Sequence, residues 1–210
     1  MKILELFSGT ESFSKVARER GHETFTVDND KQFSPNLCID IMDLTQDMIP
    51  FKPDIIWASP PCTTFSVASI RHYWDNGKPK NEKCLHGIAI VKKTIDIIKQ
   101  LNPKYFIIEN PRGMLRKQEF MDEFKRDTVT YCQYGHTSQK PTDLWNNLKW
   151  NPRPMCKPGA DCHERASRGA KKGIQGIYNK KDYMSKYRSP VLRAIVPKEL
   201  CLEIIKTCET

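Results

Sequence analysis

Short apolar runs recur along the chain and have the β-branched and aromatic content of strands. Polar residues, Gly, Pro, Asn and Asp follow most of them and favour turns. The runs cover residues 2–7, 24–27, 37–41, 55–58, 105–108, 128–132 and 143–145.

Segments of helical periodicity separate several of these runs. Apolar side chains recur every three or four positions from Ile88 to Ile98 and predict a helix over residues 87–101. Shorter patterns predict helices over residues 14–19 and 197–208. Strands that alternate with helices predict an α/β protein, with a parallel sheet covered by helices on both faces.

Chemically distinctive residues follow the strands of this predicted sheet. In open α/β sheets, ligands bind outside the carboxyl ends of the strands. The residues expected at that edge are Ser8, Gly9, Asp28, Asp40, Cys62 and Glu109. Their shared position predicts one ligand-binding cleft.

The stretch Ser59-Pro60-Pro61-Cys62 follows the buried run at residues 55–58. Its two prolines fix φ and supply no N–H, so the backbone before the sulfur is stiff. A thiol on a stiff loop at a strand end is well placed for a nucleophile. The alternative is a small packing cysteine after a Pro-rich turn.

Glu109 and Lys140 are candidates for acid–base and charge roles at the same edge. Glu109 follows the apolar run at residues 105–108, so its carboxyl is partly desolvated and could donate a proton to a ligand. A capping or salt-bridged glutamate and an ordinary surface lysine are the alternatives. Glu109 and Cys62 would end neighbouring strands within reach of one ligand, which favours the chemical interpretation.

The turn after the first strand has features of a nucleoside site. Gly9 lets the backbone approach a ligand closely, and the next helix offers free N–H groups. Asp28 lies 19 residues later, at the end of the second strand, where an acid can bind ribose hydroxyls. An ordinary βα turn with a solvent-facing aspartate is the alternative.

The charge of the chain indicates a polyanionic partner. The net charge is +9, and residues 1–111 are balanced, with 14 basic and 14 acidic side chains. Residues 112–210 carry 20 basic and 11 acidic side chains, and residues 153–188 alone hold ten against three. This asymmetry favours nucleic acid on one side of the molecule over a merely solvated basic face.

Eight scattered cysteines are interpreted as thiols, because the chain is too large to need disulfide staples and shows no secretion signal. Cys156, Cys162 and His163 could hold zinc. Their spacing is not that of a standard finger and a fourth ligand is not obvious, with Cys132 and His136 as distant candidates. Free thiols in a loop are therefore favoured, and no metal site is assigned.

Membrane insertion is not expected. Apolar residues make up 39% of the chain and charged residues 28%. No apolar run approaches the roughly 20 residues that a membrane span needs. The N-terminus leads straight into a strand-like segment, and no signal peptide is visible.

In chain order, these residues resemble the DNA (cytosine-5) methyltransferases. Pro60-Pro61-Cys62 resembles the family's nucleophile motif, and Glu109-Asn110 resembles its catalytic acid motif. The resemblance covers residues 1–145 in motif order and resumes weakly at residues 188–205. It implies that Cys62 is the nucleophile, that Glu109 is the acid and that Lys140 supplies charge at the site.

The resemblance also implies S-adenosyl-L-methionine as the cofactor. Phe7-Ser8-Gly9 is similar to the family's first motif, Asp28 to its ribose-binding acid and Asp40-Ile41 to the pair that reads the adenine. The residues expected to contact the cofactor are Phe7, Ser8, Gly9, Thr10, Asp28, Asn29, Asp40, Ile41 and Pro60.

Two motifs depart from the family pattern. Glu11-Ser12 stand where the family has a Gly-rich stretch. Pro141 and Asp143 occupy the arginine positions of its Gln-x-Arg-x-Arg motif, which leaves Lys140 as the substitute cation. Because those arginines help to bind and orient the target base, the way the base is held is the property most affected.

The resemblance implies a class I S-adenosylmethionine-dependent methyltransferase fold, with a Rossmann-like sheet and a small irregular basic insert. Its expected parts are a catalytic domain (residues 1–145), a reduced target-recognition-like basic insert (residues 146–188) and a C-terminal segment that packs back on the catalytic domain (residues 189–210). Compact phage or mobile-element members have this size. We expect a monomer in the cytoplasm of a bacterial or phage-infected host cell.

The expected activity is methyl transfer to carbon 5 of cytosine in DNA, through a covalent Cys62 adduct on a flipped base. Two alternatives stay open. One is a catalytically degenerate relative that only binds nucleic acid, and the other is the same chemistry on RNA.

Overall fold

A seven-stranded sheet lies at the centre of the computed structural model, which describes residues 1–157, 160–163 and 190–210. In chain order the strands are β1 (Lys2–Leu6), β2 (Glu23–Asp28), β3 (Leu37–Cys38), β4 (Ile55–Ala58), β5 (Trp74–Asp75), β6 (Lys78–Pro79), β7 (Tyr105–Pro111), β8 (Arg126–Thr130) and β9 (Pro141–Asn146). The order across the sheet is β3-β2-β1-β4-β7-β9-β8, and β5 and β6 form a separate hairpin.

Five neighbouring strands of the sheet are parallel to one another, namely β3, β2, β1, β4 and β7. The strand β9 runs antiparallel to both of its neighbours. The chain passes from β1 to β2 and β3 on one side, then returns to β4 on the other side of β1. This reversal makes the gap between β1 and β4 the topological switch point. In open α/β sheets, the carboxyl edge at such a point is the usual ligand site.

Helices cover both faces of the sheet. In chain order they are α1 (Ser12–Glu19), α2 (Ile70–Tyr73), α3 (Glu82–Leu101), α4 (Pro190–Ala194) and α5 (Lys198–Glu209). One core contains Phe13 of α1 and Leu200 of α5 together with Trp57 of β4. The other core contains Val91 and other apolar residues of α3 on the opposite side of the sheet. Alternate residues of each central strand feed the two cores, because successive strand side chains point to opposite faces.

The predicted α/β architecture, with helices on both faces of a mostly parallel sheet, is confirmed. Two strand predictions ran at least two residues beyond the end of the strand. The third strand ends at Cys38 instead of residue 41, and Tyr131 and Cys132 lie in a 3-10 helix after β8. The predicted central helix begins earlier, at Glu82, because the Asn81 side chain caps it by accepting from the Cys84 N–H at 3.0 Å.

Much of the expected basic insert lies outside the described residues, which omit positions 158–159 and 164–189. In the described part, Arg153 is held by carboxylates of α5, with Nη1 at 2.6 Å from Glu199 and Nε at 2.9 Å from Glu203. This arginine therefore ties the start of the insert to the last helix. Among the described helices, none combines the length and apolar character that a membrane crossing needs.

Candidate active site

Cys62 lies on a loop that follows β4 and is anchored by both neighbouring strands. The Ser59 N–H donates to the Leu6 carbonyl of β1 at 3.3 Å. On the other side, Asn110 Nδ2 of β7 donates to the Pro60 carbonyl at 2.9 Å. The half-buried Cys62 thiol is thus held above the switch point by β1 and β7.

The loop continues between two glycines that leave no room for a side chain. A Cβ on Gly87 of α3 would lie 2.4 Å from Thr64 Oγ1, and one on Gly113 would lie 2.1 Å from the Phe65 carbonyl oxygen. The Phe65 N–H donates back to the Cys62 carbonyl at 3.0 Å. We call residues 59–66 the cysteine loop, and its path is constrained by its Phe65 backbone against Gly113 and its Thr64 side chain against Gly87.

Glu109 lies near the end of β7, where it is 5% exposed. The Tyr131 hydroxyl donates to Glu109 Oε1 at 2.7 Å, and Lys140 Nζ lies 3.9 Å from the same oxygen. Lys140 Nζ also sits 4.5 Å above the Tyr131 ring and donates to the Arg193 carbonyl of α4 at 2.9 Å. Tyr131 and Lys140 thereby contact the carboxylate directly, and Lys140 links it to α4.

The Cys62 thiol experiences opposing charges from this group. Burial raises the pKa of Cys62 above its ordinary value, and the negative charge of Glu109 raises it further. Lys140 and Arg193 act in the opposite direction. The resting group is therefore a thiol, and these two cations are the side chains that favour the thiolate.

The turn after β1 forms the second half of the site. Phe7 and Gly9 have positive φ angles of 58° and 45°. The Gly9 N–H donates to Asp28 Oδ2 at 2.8 Å, and the Asp30 N–H donates to Asp28 Oδ1 at 2.9 Å. Asp28 is thereby held at the carboxyl end of β2, beside the turn.

The environment of Ser8 indicates a ligand-binding site at this turn. It is 5% exposed, and its hydroxyl oxygen has no hydrogen-bond partner among the described residues. Buried hydroxyls are nearly always paired in folded proteins. An orphaned hydroxyl beside a positive-φ turn and a fixed carboxylate fits a polar nucleoside cofactor such as S-adenosylmethionine.

The other residues expected at the cofactor site follow the same strand edge. The Ile39 N–H donates to the Asp28 carbonyl at 3.0 Å, which ties the segment after β3 to the end of β2. Asp40 Oδ1 accepts from the Met42 N–H at 2.9 Å, whereas Ile41 is buried in the core. Asn29 is exposed, and Thr10 Oγ1 lies 3.1 Å from Ser12 Oγ.

The two altered arginine positions are structural in this protein. Asp143 is fully buried and accepts from Arg116 Nε at 2.9 Å and Nη2 at 2.5 Å. Pro141 begins β9, and its carbonyl accepts from the Arg112 N–H at 2.9 Å. Neither position presents a cation to Cys62.

Three residues near the site carry no role in the sequence analysis. Tyr131 and Arg193 reach the site only through the fold, and no spacing in the sequence marks them. Glu5 of β1 is 3% exposed and accepts from the Phe13 and Ser14 N–H groups of α1, at 3.2 and 2.8 Å. An acidic residue inside an apolar strand is visible in the sequence and indicates a special role. Here that role is to cap the N-terminus of α1.

Comparison with known proteins places this arrangement in a family. The family described as C-5 cytosine-specific DNA methylase matches residues 1–131. A relative from Frog virus 3 (isolate Goorha), described as "Probable DNA (cytosine-5)-methyltransferase", is 33% identical over 171 residues, which make up 77% of this chain and 78% of the relative. The chain belongs to the C-5 cytosine-specific DNA methylase family. The resemblance found in the sequence is therefore confirmed.

Solved structures agree with this methylase family at the level of the fold. The Entamoeba histolytica methyltransferase EhMeth matches with a TM-score of 0.51 and 15% identity, over 75% of this chain and 57% of that chain. An E. coli structure described as a "DNA modification methyltransferase encoded within prophage" matches with a TM-score of 0.50 and 17% identity, over 70% and 46%. The chain thus spans about half the length of these two proteins.

The sheet order and flanking helices are those of a class I, Rossmann-like methyltransferase fold. This confirms the predicted fold class. Membership in the C-5 cytosine methylase family, together with this fold, implies S-adenosylmethionine as the cofactor. The residues that would bind it and act on the substrate are proposed below.

Proposed function

We propose that the protein transfers a methyl group from S-adenosylmethionine to carbon 5 of cytosine in DNA. The observation that carries this proposal is the position of the Cys62 thiol near the buried Glu109, on a loop that follows the strand paired with β1, which itself leads into the Gly9–Asp28 turn. A nucleophile, an acid and a nucleoside site then share one strand edge, as the chemistry of the family requires.

The cofactor would lie against the turn after β1. Ser8 would use its unpaired hydroxyl, Gly9 would allow close approach of the backbone, and Asp28 would accept from the ribose hydroxyls. Further contacts are assigned to Phe7, Thr10, Asn29, Asp40, Ile41 and Pro60. When bound, S-adenosylmethionine supplies a methyl group on a positively charged sulfur.

Cys62 would activate the cytosine ring. Carbon 5 is a poor nucleophile, and addition of the Cys62 thiolate to carbon 6 forms a C–S bond that places electron density on carbon 5. Glu109 would donate a proton or hydrogen bond to N3, which accommodates the density on the ring. Carbon 5 then takes the methyl group, and the cofactor leaves as a neutral thioether. Loss of the carbon 5 proton to water, return of any N3 proton to Glu109 and cleavage of the C–S bond, which releases the Cys62 thiolate, restore the aromatic ring.

Lys140 and Arg193 would assist formation of the thiolate. Burial and Glu109 hold the Cys62 pKa above its ordinary value, and the two cations oppose this shift. We assign Lys140 a charge-supplying role because its ammonium group also lies 3.9 Å from Glu109 Oε1. Lys140 is the substitute cation of the motif, because the family's arginine positions, one and three residues further along, hold Pro141 and Asp143.

The target base must leave the duplex to reach the half-buried thiol, so a flipped nucleotide is expected. The excess positive charge of residues 153–188 would bind phosphates and hold the duplex. Most of that segment lies outside the described residues. We assign residues 1–145 to catalysis, residues 146–188 to DNA binding and residues 189–210 to completing the catalytic domain.

The decisive experiment replaces Cys62 by Ala and measures transfer of labelled methyl groups to duplex DNA. We expect activity to fall by at least about 10³-fold while affinity for S-adenosylmethionine, measured by calorimetry, is unchanged. Cys38→Ala is the matched control, because Cys38 is an exposed thiol on β3. Undiminished transfer in the Cys62 variant would overturn the assignment.

Two alternatives are separated by a trapping experiment. A duplex that contains 5-fluorocytosine forms a stable covalent adduct only with an enzyme that completes nucleophilic attack and methyl transfer. An adduct that disappears in Cys62→Ala supports the enzyme, whereas DNA binding without an adduct supports a non-catalytic relative. Labelled methyl transfer to DNA, transfer RNA and free nucleotide identifies the substrate class.

We further propose that the protein is a monomer and that it acts in the cytoplasm. All eight cysteines lie in the described part of the chain and none of them is paired in a disulfide, which is typical of a reducing compartment. Light scattering should give the mass of one chain, 24.4 kDa. Fractionation of producing cells should recover the protein with the cytoplasmic contents. A scattering mass of two chains would contradict the monomer, and recovery in another fraction would contradict the cytoplasmic assignment.

A further inference from the structure

Four potential metal ligands lie close together where the segment that follows β9 packs against the end of β8. They are Cys132, Cys156, Cys162 and His163, and their ligand atoms all lie within 4.8 Å of one another. Cys132 and Cys156 are buried, whereas Cys162 is exposed and His163 is half-buried. In sequence, Cys132 is 24 positions before Cys156, so the fold rather than the spacing unites the set.

Four of the separations within the cluster are close to those of a tetrahedral zinc site. With Zn–S bonds of about 2.3 Å and Zn–N bonds of about 2.0 Å, a tetrahedron has S–S edges of about 3.8 Å and S–N edges of about 3.5 Å. The Cys162–Cys132 and Cys156–Cys162 sulfur separations are 3.6 and 3.3 Å. His163 Nδ1 lies 3.5 Å from the sulfurs of both Cys156 and Cys162.

Neighbouring groups hold the four ligands in place. The Cys156 N–H donates to Thr130 Oγ1 at 2.8 Å, which pins the loop to the end of β8. Gln133 Nε2 donates to Cys162 Sγ at 3.3 Å. A hydrogen bond of this kind to a coordinating sulfur is the outer-shell support that metal thiolates usually have.

We propose that Cys132, Cys156, Cys162 and His163 bind one structural zinc ion. Three cysteines and one histidine form a standard structural ligand set for zinc, and four protein ligands leave no open position for a reacting water. Binding releases the three thiol protons to solvent and forms three Zn–S bonds and one Zn–N bond. The site is independent of the methyl-transfer proposal.

The zinc ion would fasten the basic insert to the catalytic edge. Cys132 follows Tyr131, which hydrogen-bonds to Glu109, and Cys162 and His163 immediately precede the basic residues 164–188. A metal that joins these two places fixes where the insert leaves the catalytic domain. The site therefore has an architectural role in placing the insert next to the cleft.

The test measures the metal content of the full-length protein, produced without a histidine tag and purified under reducing conditions. Inductively coupled plasma mass spectrometry should find one zinc per chain. Cys162→Ser should lower the content to below about one tenth of that value. Because Cys162 is exposed, this change removes a ligand without opening the core, and Cys38→Ser is the matched control that should retain one zinc.

Cobalt substitution tests the ligand set directly. Protein stripped with a chelator and loaded with Co²⁺ should show the intense visible bands of tetrahedral cobalt with sulfur ligands, and Cys162→Ser should weaken them. Zinc should then displace the cobalt. Equal zinc content in Cys162→Ser and the parent, iron in place of zinc, or a reduced protein that binds neither metal would overturn the proposal.

Discussion

At the scale of single residues, one hydrogen bond holds the carboxyl that we propose as the acid of the site. Tyr131 is fully buried, and its hydroxyl donates to Glu109 at 2.7 Å. Burial and the negative charge of Glu109 hold the Tyr131 pKa well above its ordinary value, so the hydroxyl keeps its proton and acts as a donor. Tyr131 is thus a positioning residue for the carboxyl that would contact the cytosine ring.

Replacement of Tyr131 by Phe should therefore affect the rate more than binding. The change removes a hydrogen bond to a charged group and keeps the ring, so we expect kcat to fall about tenfold or more. Affinity for S-adenosylmethionine should stay the same, so the loss should appear in kcat and not in the KM for the cofactor. An unchanged kcat, with only a lower melting temperature, would indicate a purely structural role.

At the scale of structural elements, the cysteine loop needs glycine at position 113 because there is no space for a side chain, whereas a turn needs glycine because of its positive φ. Gly113 has an extended φ of −174°, which any residue can adopt, so the constraint is space alone. An added Cβ would lie 2.1 Å from the Phe65 carbonyl oxygen. The loop backbone must move to accept a side chain there.

Gly113→Ala should displace the cysteine loop and lower methyl transfer by at least about 100-fold, since misplacement of about 1 Å has effects of this size. Gly77→Ala is the matched control, because its φ of 81° adds backbone strain but its Cβ meets nothing within 4 Å. The control should lose some stability and keep its activity. Comparable activity in the two variants would show that the loop tolerates the shift.

The β1–α1 unit contains a buried acid whose ionisation opposes folding. Burial raises the pKa of Glu5 to about 7, although the N–H groups of α1 act in the opposite direction. Between about pH 4.5 and 7 the unfolded chain has lost this proton and the folded chain retains it. The free energy of unfolding should therefore fall as the pH rises through that window.

The expected fall is about 3 kcal/mol, measured by urea denaturation at intervals from pH 4.5 to 7.5. Glu5→Gln should flatten this dependence, because the amide does not titrate. The exposed Glu119→Gln serves as control and should leave the slope intact. A Glu5→Gln variant with the parent's slope would assign the pH dependence to other groups. The paired Glu209, with a pKa lowered to about 2, acts below this window.

At the scale of the whole molecule, the charge asymmetry separates two tasks. The first 111 residues are electrically balanced and contain the thiol, the acid and the cofactor turn, whereas the second part carries the entire positive excess. Arg153 is already paired with Glu199 and Glu203 of α5. The proposed phosphate contacts would therefore depend on the basic residues that follow His163 in the sequence.

Simultaneous replacement of Lys171, Lys172, Lys180 and Lys181 by Gln should weaken DNA binding and its salt dependence. Log affinity falls linearly with log salt concentration, and each lost phosphate contact makes the slope about 0.9 less steep. Fluorescence anisotropy at several salt concentrations measures this slope. The control replaces four lysines of the first part, Lys31, Lys52, Lys83 and Lys93, with the same change in charge. Equal slopes for the two variants would assign DNA binding to net charge alone.

The sequence predicted the α/β architecture because short apolar runs and a 3.6-residue period are local signals. It also placed Cys62 and Glu109 at one edge, since parallel strands bring their carboxyl ends together. The boundaries after β3 and β8 were missed because those segments leave the sheet. There, tertiary contacts rather than strand propensity set the conformation.

The sequence by itself determined the class of fold, the order of the motifs and the part of the chain that carries the positive charge. Only the tertiary structure decided which groups face Cys62, that Asp143 belongs to a buried pair with Arg116, and that Cys132 joins Cys156, Cys162 and His163. The physical reason is distance along the chain. Periodicity and turn chemistry act over a few residues, whereas these contacts join residues that are brought together only when the sheet and its helices pack.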